Sequence, residues 1–191
     1  QYSLLFHSDI CKHTFWHHFT DSITGYKQRL TMTIQEKVFK NTTAALPLIH
    51  QWKKEGFKIV FTNGCFDLIH IGHVLYLEDA KSLGDKLIVG LNSDTSVSRL
   101  KGAHRPIKDE FNRSHILAAL ASVDAVIIFE NDDPLELIKL ISPEILVKGG
   151  DWRPDQIVGS DFVLSHGGEV RSLRFVEGYS TTMLEEKIKN L

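Results

Sequence analysis

The chain has 191 residues, 42% hydrophobic and 24% charged, with a formal net charge of -2. This is ordinary globular composition, long enough to bury a core, and it excludes wholesale disorder. Without a broad positive field we expect no nucleic-acid partner, so any bound anion must be held locally. No apolar run approaches the roughly 18 residues of a membrane span, so we expect no membrane partner.

The cysteines, Cys11 and Cys65, are far apart and show no metal-binding spacing. That usage is typical of a protein from a reducing cytosol, and it predicts a cytoplasmic location.

Residues 1–31 form a stretch unlike the rest of the chain. They hold four of the ten histidines and scattered aromatic residues, but lack the apolar run and cleavage site of a signal peptide. One interpretation, slightly favoured, is an extension before a natural start at Met32. The other is a native arm that packs on the domain or on a partner subunit. The fold is therefore predicted for residues 32–191 as a single domain.

The first helical pattern covers residues 34–55, with Pro47 expected to start a second helical segment and Gly56 to end it. Its candidate buried positions are Val38, Leu46, Ile49 and Trp52. Residues 57–62 form a short apolar run that predicts a buried strand. A helix is predicted over residues 72–83, with Gly84 at its C-cap.

The same alternation continues to the end of the chain. Strands are predicted at 86–91, 125–129, 145–148 and 169–175, and helices at 94–100, 110–121, 134–141, 156–166 and 182–191. Strands separated by helices pair in parallel through right-handed crossovers. The prediction is an α/β fold with a doubly wound, Rossmann-like parallel sheet of about five strands, which binds ligands at the carboxyl ends of its strands.

One motif leaves the first buried strand and enters a helix: Thr62-Asn63-Gly64-Cys65-Phe66-Asp67-Leu68-Ile69-His70-Ile71-Gly72-His73. Gly64 permits a tight turn, and Gly72 would let a phosphate approach the backbone. A helix N-terminus attracts anions, and His70 and His73 could donate hydrogen bonds to a phosphoryl group in the transition state. Alternatively, the histidines are core residues or zinc ligands. Zinc needs further ligands in a recognised spacing, so no metal site is predicted.

This motif resembles the signature of the cytidylyltransferase-like nucleotidyltransferases, which is His, any residue, Gly, His. Over residues 34–191 the chain resembles one branch, the adenylyltransferases that make ADP-heptose from ATP and D-glycero-β-D-manno-heptose 1-phosphate, in their stand-alone form. The matching strings are Gly90-Leu91-Asn92-Ser93-Asp94, Leu100-Lys101-Gly102, Arg105-Pro106, Val147-Lys148-Gly149-Gly150-Asp151 and Glu177-Gly178-Tyr179-Ser180-Thr181-Thr182.

The resemblance implies a nucleotide site and a direct in-line transfer. The residues it places at the nucleotide are Thr62, Asn63, Gly64, Cys65, Phe66, Asp67, Gly72, Asn92, Asp94, Arg113, Lys148, Gly149, Gly150, Asp151, Glu177, Ser180, Thr181 and Thr182. His70, His73, Lys101 and Arg105 are the implied catalytic residues, and Lys101, Arg105 and Arg113 would bind the acceptor phosphate. ATP, Mg²⁺ and a homodimer are expected.

Plainer interpretations stay open for several of these residues. Asn92 and Asp94 could form an Asx turn or helix N-cap, and the paired glycines after Lys148 could form only a turn. Thr182 and Glu185 have the spacing of a capping box, which is compatible with a phosphate site. Asp67 could orient a histidine or hold its turn, and Trp152 could pack or wall the base pocket. Rival functions are a glycerol-3-phosphate cytidylyltransferase, a non-enzymatic nucleotide-binding module and a structural zinc protein.

Overall fold

The computed structural model describes residues 32–150, 152–174, 178–179 and 181–190. The predicted extension, residues 1–31, lies outside this range. The residues from Ile34 onward belong to one compact unit. Within the described residues, no helix has both the length and the apolarity needed to cross a membrane.

Strands and helices alternate along the unit as the pattern predicts. The strands are β1 Val38–Phe39, β2 Ile59–Gly64, β3 Lys86–Asn92, β4 Ala125–Phe129, β5 Ile145–Gly149 and β6 Glu169–Leu173. The helices are α1 Thr42–Lys54, α2 Ile71–Ser82, α3 Asp94–Lys101, α4 Glu110–Ala119, α5 Leu135–Ile141, α6 Ser160–Ser165 and α7 Thr181–Lys189. Short 3-10 turns cover Gln35–Lys37 and Pro154–Gln156.

The six strands form one parallel sheet in the order β1-β4-β3-β2-β5-β6, which confirms the predicted Rossmann-like α/β fold. The chain runs outward from β2 through β3 to β4 and then crosses back to β5, beside β2. The strand order therefore reverses between β2 and β5. In such sheets a crevice opens at this point, outside the carboxyl ends of the two strands.

The central strands are buried on both faces, which explains their continuous apolar runs. Val60, Phe61, Ile88, Val89 and Ile127 are completely shielded from solvent. Helix α2 adds Leu77 and Ala80 to this core. The core thus holds rigid the strands whose ends carry the site.

The start of the domain differs from the predicted helix over 34–55. The Asn41 side chain accepts a hydrogen bond from the Ala44 N–H at 3.0 Å and caps α1 there. Val38 and Phe39 instead pair with β4 and form a sixth strand at the edge of the sheet. Pro47 lies inside α1 on its exposed side, where solvent can hydrogen-bond the backbone group that proline leaves without a partner.

Other boundaries shift by a few residues. Strand β2 begins at Ile59, because the N–H of Phe57 bonds the Trp52 carbonyl at the end of α1. Helix α6 begins at Ser160, after a 3-10 turn and Gly159, whose φ of +88° breaks the predicted helix over 156–166. Ile49 and Trp52 are buried as predicted, whereas Val38 and Leu46 are only half-buried.

Candidate active site

A cavity of about 150 Å³ opens at the reversal of strand order between β2 and β5. Five elements and the turn after β2 contribute to its wall. The lining residues are Asn63, Cys65, Phe66 and Asp67 at the end of β2 and after it, Lys148 and Gly149 of β5, His73 and Tyr76 of α2, Lys101 of α3 and Thr181 of α7. The starts of α2 and α7 therefore meet at one cavity.

The hydrogen bond from His70 to His73 determines which ring nitrogen of His73 carries the proton. Helix α2 begins at Ile71 with His70 as its N-cap, in extended backbone geometry. The backbone N–H of His70 donates to Nδ1 of His73 at 3.3 Å. Because Nδ1 accepts, a neutral His73 carries its proton on Nε2, and Nε2 is left as the donor.

Both imidazoles are held in the neutral form. Burial lowers the pKa of His73 to about 4, and the nearby charges of His70 and Lys101 act in the same direction. Burial also lowers the pKa of His70. The two ring centroids lie 4.0 Å apart, so one added proton would repel a second. The pair can therefore donate hydrogen bonds at neutral pH without carrying charge.

Gly72 makes room for the His70 ring. A Cβ at this position would lie 3.0 Å from Cε1 and Nδ1 of His70. The predicted reason for this glycine was a close phosphate, but in the structure the imidazole occupies that space. Nδ1 of His70 is buried and has no hydrogen-bond partner among the described residues. His70 faces a separate cavity of about 270 Å³, lined also by Gly178, Tyr179, Met183, Leu184 and Lys187.

The turn after β2 has an unusual backbone and a fixed carboxylate. Phe66 has φ of 45°, in the left-handed region that non-glycine residues rarely adopt, and its ring lies 5.5 Å from that of His73. Asp67 accepts hydrogen bonds from Arg105 Nη1 at 2.6 Å and from the N–H groups of Ile107 and Lys108 at 2.9 and 3.0 Å. Asp67 thus ties this turn to the loop after α3.

These donors also determine the ionisation of Asp67. Burial alone would raise the pKa of its carboxyl group. The N–H groups of Lys108 and Ile107 and the Arg105 guanidinium outweigh burial and hold the pKa below its ordinary value. Asp67 therefore holds its own turn, one of the two roles predicted for it, and no histidine contact is seen among the described bonds.

Arg105 and Arg113 bond to groups of the protein, whereas the prediction was that they bind an acceptor phosphate. Arg105 binds Asp67 through Nη1 and Glu185 of α7 through Nη2. Arg113 is completely buried, and its donor nitrogens all bond to the protein. Its acceptors are Lys108 O at 3.0 Å, Cys65 O at 2.6 Å and Asp94 Oδ1 at 2.7 Å. Both guanidinium groups therefore bond to the turn after β2 and hold it in place.

Lys101 and Lys148 are the cationic side chains on the cavity wall. Neither has a carboxylate partner within the part of the chain that the structure describes. Burial lowers the pKa of Lys148, and Cys65 acts in the opposite direction. Lys101 is exposed at the end of α3 and can reach an incoming anion.

A second compartment of about 180 Å³ adjoins the first and shares Asn63 and Lys148 with it. Its other lining residues are Pro134, Trp152, Gln156, Ile157 and Val158. Trp152 is 47% exposed and therefore forms a wall of this compartment more than part of the core. Gly150 has φ of 110°, and its N–H bonds the Leu173 carbonyl at 2.8 Å, so the glycine pair does form the turn that leads there.

Several predicted nucleotide contacts have other partners. The Thr62 hydroxyl is buried against the Tyr76 hydroxyl at 2.6 Å. The Asn92 amide donates to Ser96 Oγ at 3.0 Å, and Ser93, not Asn92 or Asp94, caps α3. Asp94 is used by Arg113. Thr62, Asn92 and Asp94 are therefore absent from the walls of both compartments.

Gly64 and Tyr76 also shape this region. A Cβ on Gly64 would lie 3.0 Å from the Phe66 ring, so this glycine permits the turn. Tyr76, which sequence reasoning missed, lines the cavity, and burial raises its pKa to about 12. The sequence signal that could have identified Tyr76 is its position three residues after His73, on the same face of the helix.

The C-terminal motif is described in part. Asp151, Glu177 and Ser180 lie outside the described residues. Helix α7 already includes Thr181, and Glu185 pairs with Arg105. No group of three or more metal-ligating side chains occurs within the described residues.

The parallel sheet and the side chains that line the cavity are those expected of a nucleotidyltransferase. The family model described as cytidylyltransferase-like matches residues 61–187, and the chain belongs to this family. This confirms the resemblance carried by the His70-Ile71-Gly72-His73 motif.

Relatives and solved structures agree with this assignment. The chain is 54% identical to the bifunctional protein HldE of Geotalea uraniireducens over 78% of its length, and 56% identical to that of Geobacter metallireducens, also over 78%. It spans only 31% and 30% of those two proteins.

Among solved structures, a lipopolysaccharide core biosynthesis protein from Thermoplasma volcanium is similar with a TM-score of 0.52 and 30% identity, over 65% of this chain and all of that one. A pantoate-beta-alanine ligase from Francisella tularensis, with a TM-score of 0.51 and 15% identity over 81% of this chain and 78% of its own, shares the fold alone.

Proposed function

We propose that the protein transfers AMP from ATP to a sugar 1-phosphate, D-glycero-β-D-manno-heptose 1-phosphate, and releases pyrophosphate. The product, ADP-heptose, would serve the synthesis of lipopolysaccharide or another surface glycan. Support comes from the high identity to HldE proteins and from the structural relative with a lipopolysaccharide core biosynthesis name.

The observation that carries this proposal is the single cavity shared by His73, Lys101, Lys148 and Thr181. It joins two helix starts, an imidazole donor and two ammonium groups at the edge where parallel sheets bind nucleotides. This set suits a polyphosphate, because helix starts and N–H donors stabilise charge that develops on phosphoryl oxygens.

The proposed reaction is one in-line displacement. An oxygen of the sugar phosphate attacks the α-phosphorus of ATP, the bond from that phosphorus to the bridging oxygen breaks, and pyrophosphate leaves. A phosphate monoester has a second pKa of about 6, so the nucleophile is already ionised and no general base is needed. Catalysis then depends on position and charge.

Four of the lining residues have roles in the proposed reaction. His73 would donate from Nε2 to an α-phosphate oxygen, with His70 fixing its ring through the backbone bond. The start of α7, with Thr181, would hold the leaving phosphates. Lys101 would bind the acceptor phosphate, and Lys148 would lie between phosphates and base because it lines both compartments.

Mg²⁺ is proposed as a companion of the triphosphate. The one carboxylate on the cavity wall, among the described residues, is that of Asp67, and its donors are already Arg105, Ile107 and Lys108. A wall with so few free carboxylate oxygens fits Mg²⁺, which keeps several waters and is held largely by substrate phosphates. When bound, it would neutralise charge on the leaving pyrophosphate.

A pyrophosphate-release assay tests the proposal. ATP and CTP are each combined with heptose 1-phosphate and glycerol 3-phosphate, with Mg²⁺ present. We expect release only with ATP and the heptose phosphate. A preference for CTP with glycerol 3-phosphate would instead support the cytidylyltransferase alternative, and no release with any pair would contradict both.

A further inference from the structure

Helix α7 presents one face to the domain. Of its described side chains, those of Thr181 and Glu185 are the least exposed, and they lie one helical turn apart on the same face. Leu184, Met183 and Ile188 are 37%, 52% and 59% exposed, so none of these apolar side chains is buried in the core. The contacts of Thr181 and Glu185 therefore largely decide where its first turn lies.

Those two side chains reach different parts of the site. Thr181 lines the cavity between β2 and β5 together with His73. Glu185 pairs with Nη2 of Arg105, whose Nη1 binds Asp67 at 2.6 Å. The result is a carboxylate-guanidinium-carboxylate bridge, Asp67-Arg105-Glu185, which connects the turn after β2, the loop after α3 and the helix α7.

The bridge is largely protected from water. The exposed fractions of the side chains are 3% for Asp67, 17% for Arg105 and 24% for Glu185. Charge-assisted hydrogen bonds are stronger than neutral ones, and partly buried pairs are screened less by salt. An exposed ion pair would contribute little, but this one can fix a helix that has little other packing.

We propose that Glu185 is a positioning residue for the nucleotide. Through Arg105 it holds the first turn of α7, and with it Thr181, against the cavity. This inference rests on the proposed function, because it assigns the leaving phosphates of the nucleotide to that turn. It also gives Glu185 a task that the capping-box spacing did not predict.

The first test measures α7 without any substrate. Amide hydrogen exchange is followed over α7 in the wild-type protein and in Glu185→Gln, with Glu186→Gln as the matched control, since Glu186 is an exposed carboxylate on the same helix. We expect exchange in α7 to be about tenfold faster in Glu185→Gln and unchanged in the control. Arg105→Gln should give the same increase, and the double variant no more. Unchanged exchange in the two single variants would overturn the proposal.

The second test separates positioning from simple stabilisation. With ATP and the heptose phosphate, Glu185→Gln should raise the KM for ATP about tenfold while kcat stays within about twofold. A purely structural ion pair would lower the melting temperature and leave KM unchanged, and that outcome would refute the positioning role. Because the exchange measurement needs no substrate, an inactive wild-type protein would refute the proposed function alone.

Discussion

The Nδ1 atom of His73 accepts a hydrogen bond from the backbone N–H of His70 at 3.3 Å. Two residues that sequence reasoning treated as equal donors therefore have different tasks. His73 lines the cavity between β2 and β5, whereas His70 is the N-cap of α2, donates its backbone N–H to the His73 ring and faces the neighbouring cavity. Substitutions at the two positions should therefore have different effects.

Removing the His73 imidazole should affect turnover far more than stability. His73→Ala should lower kcat about 100- to 1000-fold, the usual cost of losing one donor to a transition-state oxyanion. His70→Ala should also lower kcat, because the His70 ring no longer packs 4.0 Å from that of His73, although the backbone bond to Nδ1 remains. Pyrophosphate release and thermal melting measure the two effects. His50→Ala, at an exposed position of α1, is the control, and normal turnover in both signature variants would contradict the mechanism.

The low pKa of His73 predicts how stability varies with pH. The unfolded chain binds a proton at His73 near pH 6.5, but the folded protein binds it only near pH 4. Between these values the unfolded state holds more protons, so stability contributed by neutral His73 is complete above pH 6.5 and is lost as pH falls towards 4. Linkage gives about 2 kcal/mol for this group between pH 7 and 5, and partial exposure of the ring to solvent reduces the loss expected in denaturant unfolding to roughly 1 kcal/mol.

His73→Gln is the comparison for that pH experiment. Glutamine does not titrate, so this variant should lose less stability between pH 7 and 5 than the wild-type protein. Equal losses in the two proteins would mean that His73 is not the buried neutral group.

Loss of the Arg113 guanidinium should destabilise the fold. Arg113→Met leaves the Cys65 and Lys108 carbonyls and the Asp94 carboxylate without their donor, at a cost of about 3 kcal/mol in the free energy of unfolding by urea. Arg153→Met is the control because that side chain is 76% exposed, and its cost should stay below about 0.5 kcal/mol. Normal stability with a raised KM for the sugar phosphate would restore the predicted substrate contact.

The Thr62-Tyr76 hydrogen bond should appear as coupling between the two residues. A double-mutant cycle with Thr62→Val and Tyr76→Phe should give an interaction free energy of about 1 kcal/mol in urea unfolding. The 2.6 Å bond between buried hydroxyls is the reason. Additive effects would show that the bond contributes nothing.

Lys101 should act on the acceptor. Lys101→Met should raise the KM for the sugar phosphate about tenfold and that for ATP much less, because the residue meets the cavity from the end of α3. Lys54→Met, at an exposed end of α1, should change neither value. A larger effect on ATP would assign Lys101 to the nucleotide.

Much of the fold followed from the sequence because its signals are local. Apolar runs marked β3, β4 and β5, and glycine marked the end of α1. Strand β1 was missed because two residues become a strand only by pairing with Val126 and Ile127, far along the chain. The sequence pattern around Val38 and Phe39 does not indicate which distant residues they pair with.

The same distinction between local and long-range signals applies to the site residues. The His70-Ile71-Gly72-His73 motif is contiguous and identified the helix start at the cavity. The buried bonds of Arg113 could not be predicted because two of its acceptors lie far from it along the chain, Cys65 in the turn after β2 and Asp94 at the start of α3. A charged residue that satisfies distant backbone groups has the same local sequence as one that binds substrate.

The shared wall of the two compartments has a practical consequence for changing nucleotide preference. Asn63 and Lys148 line both compartments, so under the proposed function, with phosphates in one compartment and the base in the other, replacing either residue would change phosphate binding and base selectivity together. Trp152 and Val158, like Pro134, Gln156 and Ile157, line the second compartment and not the first, so under the proposed function substitutions there would change base selectivity with less effect on phosphate binding.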